Sequence, residues 1–143
     1  YGTPIRERDT LEDYLYKDGR ENLSLIVNAT FPDARKAILN YRHCSTLMVL
    51  EEGEEVSLME IELLTGRHHQ IRAQMSNAGM PLLGDSKYGS ERSKELSRDI
   101  GCKNVALCAY KLSFNHPITH KGMVFEKQPD EELFDPFLNE GIL

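Results

Sequence analysis

The chain has 143 residues, 40% of them hydrophobic, which is core enough for one domain and too little for two of ordinary size. No apolar run approaches the roughly 20 residues of a membrane-spanning helix, and the start lacks a charged-then-apolar leader, so no membrane partner is expected and the chain reads as soluble and cytoplasmic. A net charge of −6 excludes a surface that grips nucleic acid all over, because non-specific affinity requires cations close to phosphates.

Residues 1–143 are expected to form a single unit. Tyr1 to Asp9 carries Gly2, Pro4 and four charges without apolar periodicity, and reads as an irregular lead-in at a point of truncation. Thr10-Leu11-Glu12-Asp13 has capping-box spacing, and Leu11, Tyr14 and Leu15 make an apolar stripe, which together predict a short helix from Leu11 to Lys17 ended near Gly19. Strands are expected over Leu23 to Thr30, Lys36 to Tyr41, Thr46 to Leu50 and Val56 to Leu64. Pro32-Asp33 separates the first two, and the glycine-containing acidic stretch Glu51 to Glu55 makes a hairpin turn between the last two. In the last run Met59, Ile61 and Leu63 share a face that Val56 and Leu58 join only through a bulge. From His68 to Ala78 the period changes, with Ile71, Met75 and Ala78 recurring at helical spacing and Gly79 placed for a left-handed C-cap. Val105 to Phe114 reads as a strand, Asn115 to Gly122 as a turn, Met123 to Glu126 as the partner strand, and Glu131 to Leu138 as a short terminal helix. The fold class is therefore α+β, a mainly antiparallel sheet with a few short helices.

Chemistry concentrates where the fourth strand gives way to the helix, in Leu64-Thr65-Gly66-Arg67-His68-His69-Gln70-Ile71-Arg72, and in the glycine-punctuated run Gly79-Met80-Pro81-Leu82-Leu83-Gly84-Asp85-Ser86-Lys87-Tyr88-Gly89. From Thr65 to Lys94 five Lys/Arg stand against two Asp/Glu, whereas Glu126 to Glu140 holds six carboxylates and one lysine, so a basic site on an acidic body is possible. Arg72, four residues after His68 and three after His69, can join the first-turn amides of the helix around an anion. Arg67 is balanced between that role and a surface ion pair. Gln70 either bonds a base or caps a neighbouring strand. Asp85 and Lys87 read as organisers of a turn, and Tyr88 as a packed aromatic. Adjacent histidines diverge on a helix and no third ligand sits at metal spacing, so no metal is expected; Cys44, Cys102 and Cys108 likewise lie in no zinc or disulfide pattern.

The two runs closely resemble the TGRxHQIR…GxPxxGDxxYG signature of the RluA-like RNA pseudouridine synthases. The likeness extends to Thr10–Leu15 with Lys17-Asp18, to Ala37–Arg42, and to Val105–Ala109 with Asn115–Thr119, where Cys108 stands in place of the usual histidine. The resemblance implies isomerisation of uridine to pseudouridine in ribosomal or transfer RNA, without cofactor or metal, on a base flipped from the stack. It implies an attacking aspartate in an HRLD motif, a downstream tyrosine, and an arginine that keeps the aspartate ionised; Arg72 occupies that arginine's place and is the catalytic candidate. Arg67, His68, His69, Gln70 and Lys87 are the RNA-binding candidates. No HRLD occurs in this sequence, so the chain is expected to be the C-terminal portion of a synthase catalytic domain, inactive alone and open to self-association through an incomplete sheet. The alternative is a noncatalytic RNA-binding module of the same fold.

Overall fold

In a computed structural model the described residues are 1–49, 53–130 and 132–138. The chain divides into two compact units, Tyr1–Ala106 and Leu107–Leu143.

The first unit is built on a four-stranded antiparallel sheet of order β2-β1-β3-β4, formed by β1 (Arg8–Asp18), β2 (Leu23–Val27), β3 (Arg35–Val49) and β4 (Glu54–Leu63). The predicted helix over Leu11 to Lys17 is therefore wrong: those residues lie in the middle of β1. The same residues also carry a period of two, and β1 pairs on both edges, with β3 over Arg8 to Leu15 and with β2 over Tyr14 to Asp18. A ladder on each side outweighs one capping box, and Thr10 donates across the sheet to Asn40 Oδ1 at 2.8 Å instead of capping. The two strands expected over Lys36 to Leu50 are one strand, β3. Its register against β4 shifts between His43 and Ser45, so the bulge anticipated for the fourth run lies on the partner strand instead. Val56 and Leu58 are buried. Leu50, and Glu51-Glu52 of the predicted hairpin turn, lie outside the described residues; Gly53 has φ +79°.

The helix α1 (Gln70–Asn77) packs on the sheet, with Leu15, Ala37 and Ala73 forming a small core against which Tyr88 rests. Its C-terminus ends as predicted. Met80 N–H donates to Met75 O and Gly79 N–H to Ser76 O, with Gly79 at φ +79°, which is the Schellman arrangement. Its start is later than predicted, because His68 and His69 precede the helix and His69 adopts a left-handed φ of 50°. Its buried face is also not the one expected from Ile71: Gln70, Ala73 and Gln74 face inward with Met75.

A further helix, α2 (Glu91–Asp99), carries no apolar stripe and was not foreseen. Its buried face is Ser93, Leu96 and Ser97, and Ser90 caps it by accepting from Ser93 N–H at 3.1 Å. Ser97 Oγ accepts from Gly84 N–H at 2.8 Å. Gly84 has φ +69°, and a Cβ there would sit 1.8 Å from the Asn104 carbonyl oxygen, so only glycine fits.

The second unit contains an antiparallel hairpin of β5 (Lys111–Asn115) and β6 (Gly122–Glu126), a 3₁₀ turn at Glu132–Phe134 and the short helix α3 (Asp135–Leu138). Of the strand predicted from Val105, only Lys111 onward is strand. The terminal helix is shorter than predicted, and Glu131 lies outside the described residues. No helix is long and apolar enough to cross a membrane among the described residues.

Candidate functional site

The site assembles where β4 hands over to α1. Gln70, one of the two alternatives left open by sequence, is the strand cap: it is 3% exposed and all its bonding capacity is committed. Its Oε1 accepts from Thr65 Oγ1 and Arg67 N–H, each at 2.9 Å, while Nε2 donates to Ile38 O at 3.1 Å and Gln74 Oε1 at 3.0 Å. Gln70 thus drops out of the RNA-binding set, because no polar atom is left to meet a ligand. Gln74, fully buried and not singled out from sequence, continues the network. Its amide nitrogen reaches Asp13 Oδ2 at 2.8 Å and the Leu11 and Ala37 carbonyls at 3.2 Å. This polar seam fixes α1 on the sheet and holds the Thr65–His69 connection in place.

Arg72 leaves α1 toward the turn after Gly84 and meets Asp85. Nε donates to Oδ2 and Nη2 to Oδ1, both at 2.7 Å, a bidentate pair with Asp85 1% exposed. Asp85 Oδ1 also accepts the Lys87 and Tyr88 N–H groups at 3.0 Å, so this carboxylate both shapes the turn and orients the guanidinium. Burial pushes the Asp85 carboxyl up, but Arg72 and the two amides more than offset it and hold it below its ordinary range. The Arg72 guanidinium is raised, chiefly by its bond to Asp85. Sequence treated Asp85 as a turn residue and did not connect it to Arg72; the GDxxYG spacing, which aims one carboxylate back over the preceding helix, held the signal.

The two histidines do not diverge. Their rings stack with centroids 3.8 Å apart, a consequence of the left-handed backbone at His69. Arg72 Nη1 lies 3.2 Å from His69 Nε2. A guanidinium only donates, so His69 is neutral, with its proton on Nδ1. That proton goes to Tyr88 Oη at 3.0 Å, where Ser24 N–H also donates at 2.7 Å. The Tyr88 oxygen accepts twice and keeps its own hydrogen to give, while its ring lies 4.9 Å from the Arg72 guanidinium carbon. His69 sits below its ordinary pKa because of burial, then Arg72, His68 and Lys87, with Asp85 opposing.

His68 is fixed in the same way. Ser24 Oγ–H donates to the His68 carbonyl oxygen and lies 3.0 Å from Nδ1, which must then carry the ring proton. Burial, then Lys17, Lys87 and Arg72, lower the His68 pKa. Arg67 Nε donates to Lys36 O at 2.9 Å, and Lys87 Nζ donates to Asn22 O at 3.0 Å. The structure therefore brings Arg67, His68, His69, Arg72 and Lys87 to one region, adds Ser24, Asp85 and Tyr88, and withdraws Gln70.

The sequence profile described as RNA pseudouridylate synthase matches residues 3–77, more than half of the chain and inclusive of Thr65–Arg72. The chain is 31% identical over 133 residues to the uncharacterized RNA pseudouridine synthase YlyB of Bacillus subtilis, covering 93% of this chain and 39% of that one. It is 39% identical over 92 residues to the ribosomal large subunit pseudouridine synthase D of Neisseria meningitidis, covering 60% of this chain and 24% of that one. The fold is similar to that of human RNA Pseudouridylate Synthase Domain Containing 1, with a TM-score of 0.71 at 21% identity over 90% of this chain and 51% of the other. The chain thus spans about two-fifths or less of the length of these curated relatives. On its own sequence and in its fold, the chain belongs to the RNA pseudouridylate synthase family.

Proposed function

We propose that this chain is the C-terminal portion of an RNA pseudouridine synthase catalytic domain, acting on ribosomal or transfer RNA in a cytoplasmic setting. The observation that carries the reading is the Thr65–Arg72 segment: it lies inside the matched family span and presents a guanidinium oriented by Asp85 and bonded to a neutral His69.

In this reading the attacking carboxylate comes from outside the 143 residues. Asp85 is unsuited to attack, since both oxygens are held by Arg72 and one of them also by two amides. Its role is to position Arg72. With Nε and one Nη2 hydrogen committed to Asp85 and one Nη1 hydrogen to His69, Arg72 keeps one hydrogen on each Nη for a second carboxylate, and its charge keeps that carboxylate ionised. Arg67, His68, His69 and Lys87 form the RNA-facing set, although both ring nitrogens of His69 are occupied, which makes it a positioning residue. Strands β2 and β4 end the sheet, Gly2 bonds β4 at Glu55 and Ser57, and Leu63 farther along β4 is exposed; this edge supports self-association of the isolated chain, to be checked by sedimentation equilibrium.

The test is pseudouridine formation in transfer and ribosomal RNA by the full-length protein, comparing Arg72→Lys with the unmodified enzyme. Lysine keeps the charge and loses the fork, so turnover should fall at least a hundredfold while RNA affinity changes little. Full activity in the Lys variant would overturn the role of Arg72. RNA binding without any pseudouridine formation by the unmodified protein would favour the noncatalytic module.

A further inference from the structure

A cavity of about 430 Å³, a volume in the range of small-ligand sites, opens beside the histidine pair and is lined in part by Lys17, Ser24, Asp33, Arg35, Arg67 and His68. The sheet puts three of these side by side: Lys17 pairs with Ser24 across β1–β2, and Arg35 pairs with Leu15 two residues back along β1. Arg67 joins them by anchoring its Nε on the Lys36 carbonyl, and neither Nη group has a partner among the described residues.

Arg6, Lys36, Arg42, Arg72, Arg92, Lys94, Lys111 and Lys127 each have a carboxylate in ion-pair contact. Among the described residues Lys17, Arg35 and Arg67 have none, and Asp33 is the one acidic side chain in the lining. Arg8, Arg20, Lys87, Arg98, Lys103 and Lys121 also lack an ion pair among the described residues, and what sets Lys17, Arg35 and Arg67 apart from them is that they line one cavity. Three cations that converge on one cavity with a single carboxylate among them make its lining net positive, which favours an anion there.

The cavity also offers an acceptor. Nδ1 of His68 carries a proton and donates to Ser24, and burial with the nearby Lys17, Lys87 and Arg72 charges favours the neutral ring, in which Nε2 presents a lone pair. Among the described residues no donor reaches Nε2, and since Ser45 Oγ is the buried side-chain atom left without a partner, Nε2 is open to solvent. A phosphodiester brings acceptors alone and cannot use it. In a nucleotide the hydroxyl nearest the phosphates that can donate is the ribose 2′-OH, the group that separates RNA from DNA.

We propose that this cavity is a ribonucleotide subsite, in which Lys17, Arg35 and Arg67 hold a backbone phosphate and His68 Nε2 accepts a hydrogen bond from the adjoining ribose 2′-hydroxyl. The proposal rests on RNA being the substrate class and adds Lys17 and Arg35, which neither the signature runs nor the Arg72 site include. It gives the family chemistry a grip on the strand next to the reacting nucleotide, read through sugar and phosphate rather than base.

The experiment is a salt titration of oligonucleotide binding to the full-length protein, followed by fluorescence anisotropy with oligouridylate and its 2′-deoxy and 2′-fluoro forms. The 2′-fluoro form retains an electronegative sugar substituent and lacks the donor. Unmodified protein should prefer oligouridylate over both analogues by about tenfold. His68→Phe should abolish that preference with the salt slope unchanged, and His68→Gln, which restores an acceptor, should recover part of it. Lys17→Ala and Arg35→Ala should each lower the slope of log affinity against log salt by about 0.7, the share of one phosphate contact on a single strand. Equal affinity for the ribo and 2′-fluoro forms, or a preference that survives in His68→Phe, would overturn the hydroxyl contact; slopes unchanged in both cation variants would overturn the phosphate site. Pseudouridine formation by the same preparations separates the two readings. Activity with unchanged slopes and no sugar preference discards the subsite alone, whereas sugar preference without isomerisation supports the subsite and discards the enzyme.

Discussion

Two arginines five residues apart lead opposite lives. Arg72 is 16% exposed, paired through two hydrogen bonds with a carboxylate that is itself almost wholly buried, and joined to His69. Arg67 is exposed, anchored by one nitrogen and otherwise unpartnered among the described residues. The difference teaches that a basic motif divides its labour: one cation is frozen into the fold so that its orientation is set in advance, and the other stays open at a cavity where only a ligand completes it. Preorganisation favours reaction geometry, and an open charge favours encounter.

Substitutions that break this contrast should differ in size. The largest loss of stability is expected from Arg72→Ala, which strands the Asp85 carboxylate in the interior and should cost about 3–5 kcal/mol in denaturant unfolding. A paired exchange, Arg72→Met with Asp85→Asn, should recover much of that loss while leaving pseudouridine formation abolished, which separates folding from function. Next, Gln74→Leu leaves Asp13 and the Gln70 amide short of partners and should cost about 1–3 kcal/mol. Tyr88→Phe removes the oxygen that accepts from Ser24 N–H and His69, with an expected cost of about 1–2 kcal/mol.

Acidification sharpens the same comparison without mutation. His68 and His69 both lie below their ordinary value of 6.5 in the folded chain. A depressed value means that the unfolded chain binds protons first, so the stability they contribute is complete above about 6.5 and declines as pH falls through their folded values. The Asp85 contribution behaves alike at lower pH: it is complete above the ordinary carboxyl value of 3.8 and lost as pH falls through the lower folded one. Unfolding monitored against pH should show a histidine step that His68→Gln diminishes, followed by an acid step. At the small end, Lys17→Ala and Arg35→Ala should move stability by no more than about 0.5 kcal/mol, because neither side chain has an ion-pair partner among the described residues.

Much of the site was legible because it is written in residue types with few structural uses. The run through Arg72 announced a basic turn into a helix, and Gly79 marked the helix end. What escaped was what depended on distant partners. β1 resembled a helix because a capping box is local, whereas the two ladders that make it a strand come from β2 and β3. α2 was invisible because serines at 93 and 97 fill its inner face where a stripe of large apolar residues would have declared it. Gln70 stood between bonding a base and capping a strand and Gln74 drew no reading, because the carbonyls of Ile38, Leu11 and Ala37 that make them interior residues come from distant strands. Asp85 was assigned to its turn correctly, yet its second task needed the 13-residue reach back to Arg72.

The glycine at 84 gives the site a timetable. Its α-carbon lies against the Asn104 carbonyl, its N–H is received by Ser97, and the neighbouring Leu83 carbonyl accepts from Ala106 N–H. The carboxylate that orients Arg72 is the very next residue. The ladders of β1 to β4 draw only on residues made before Gly84, whereas the contacts around the Gly84 turn come from Ser97, Asn104 and Ala106 and need the chain made through residue 106. A nascent chain halted before that point would own every residue of the signature and still hold its key guanidinium loosely.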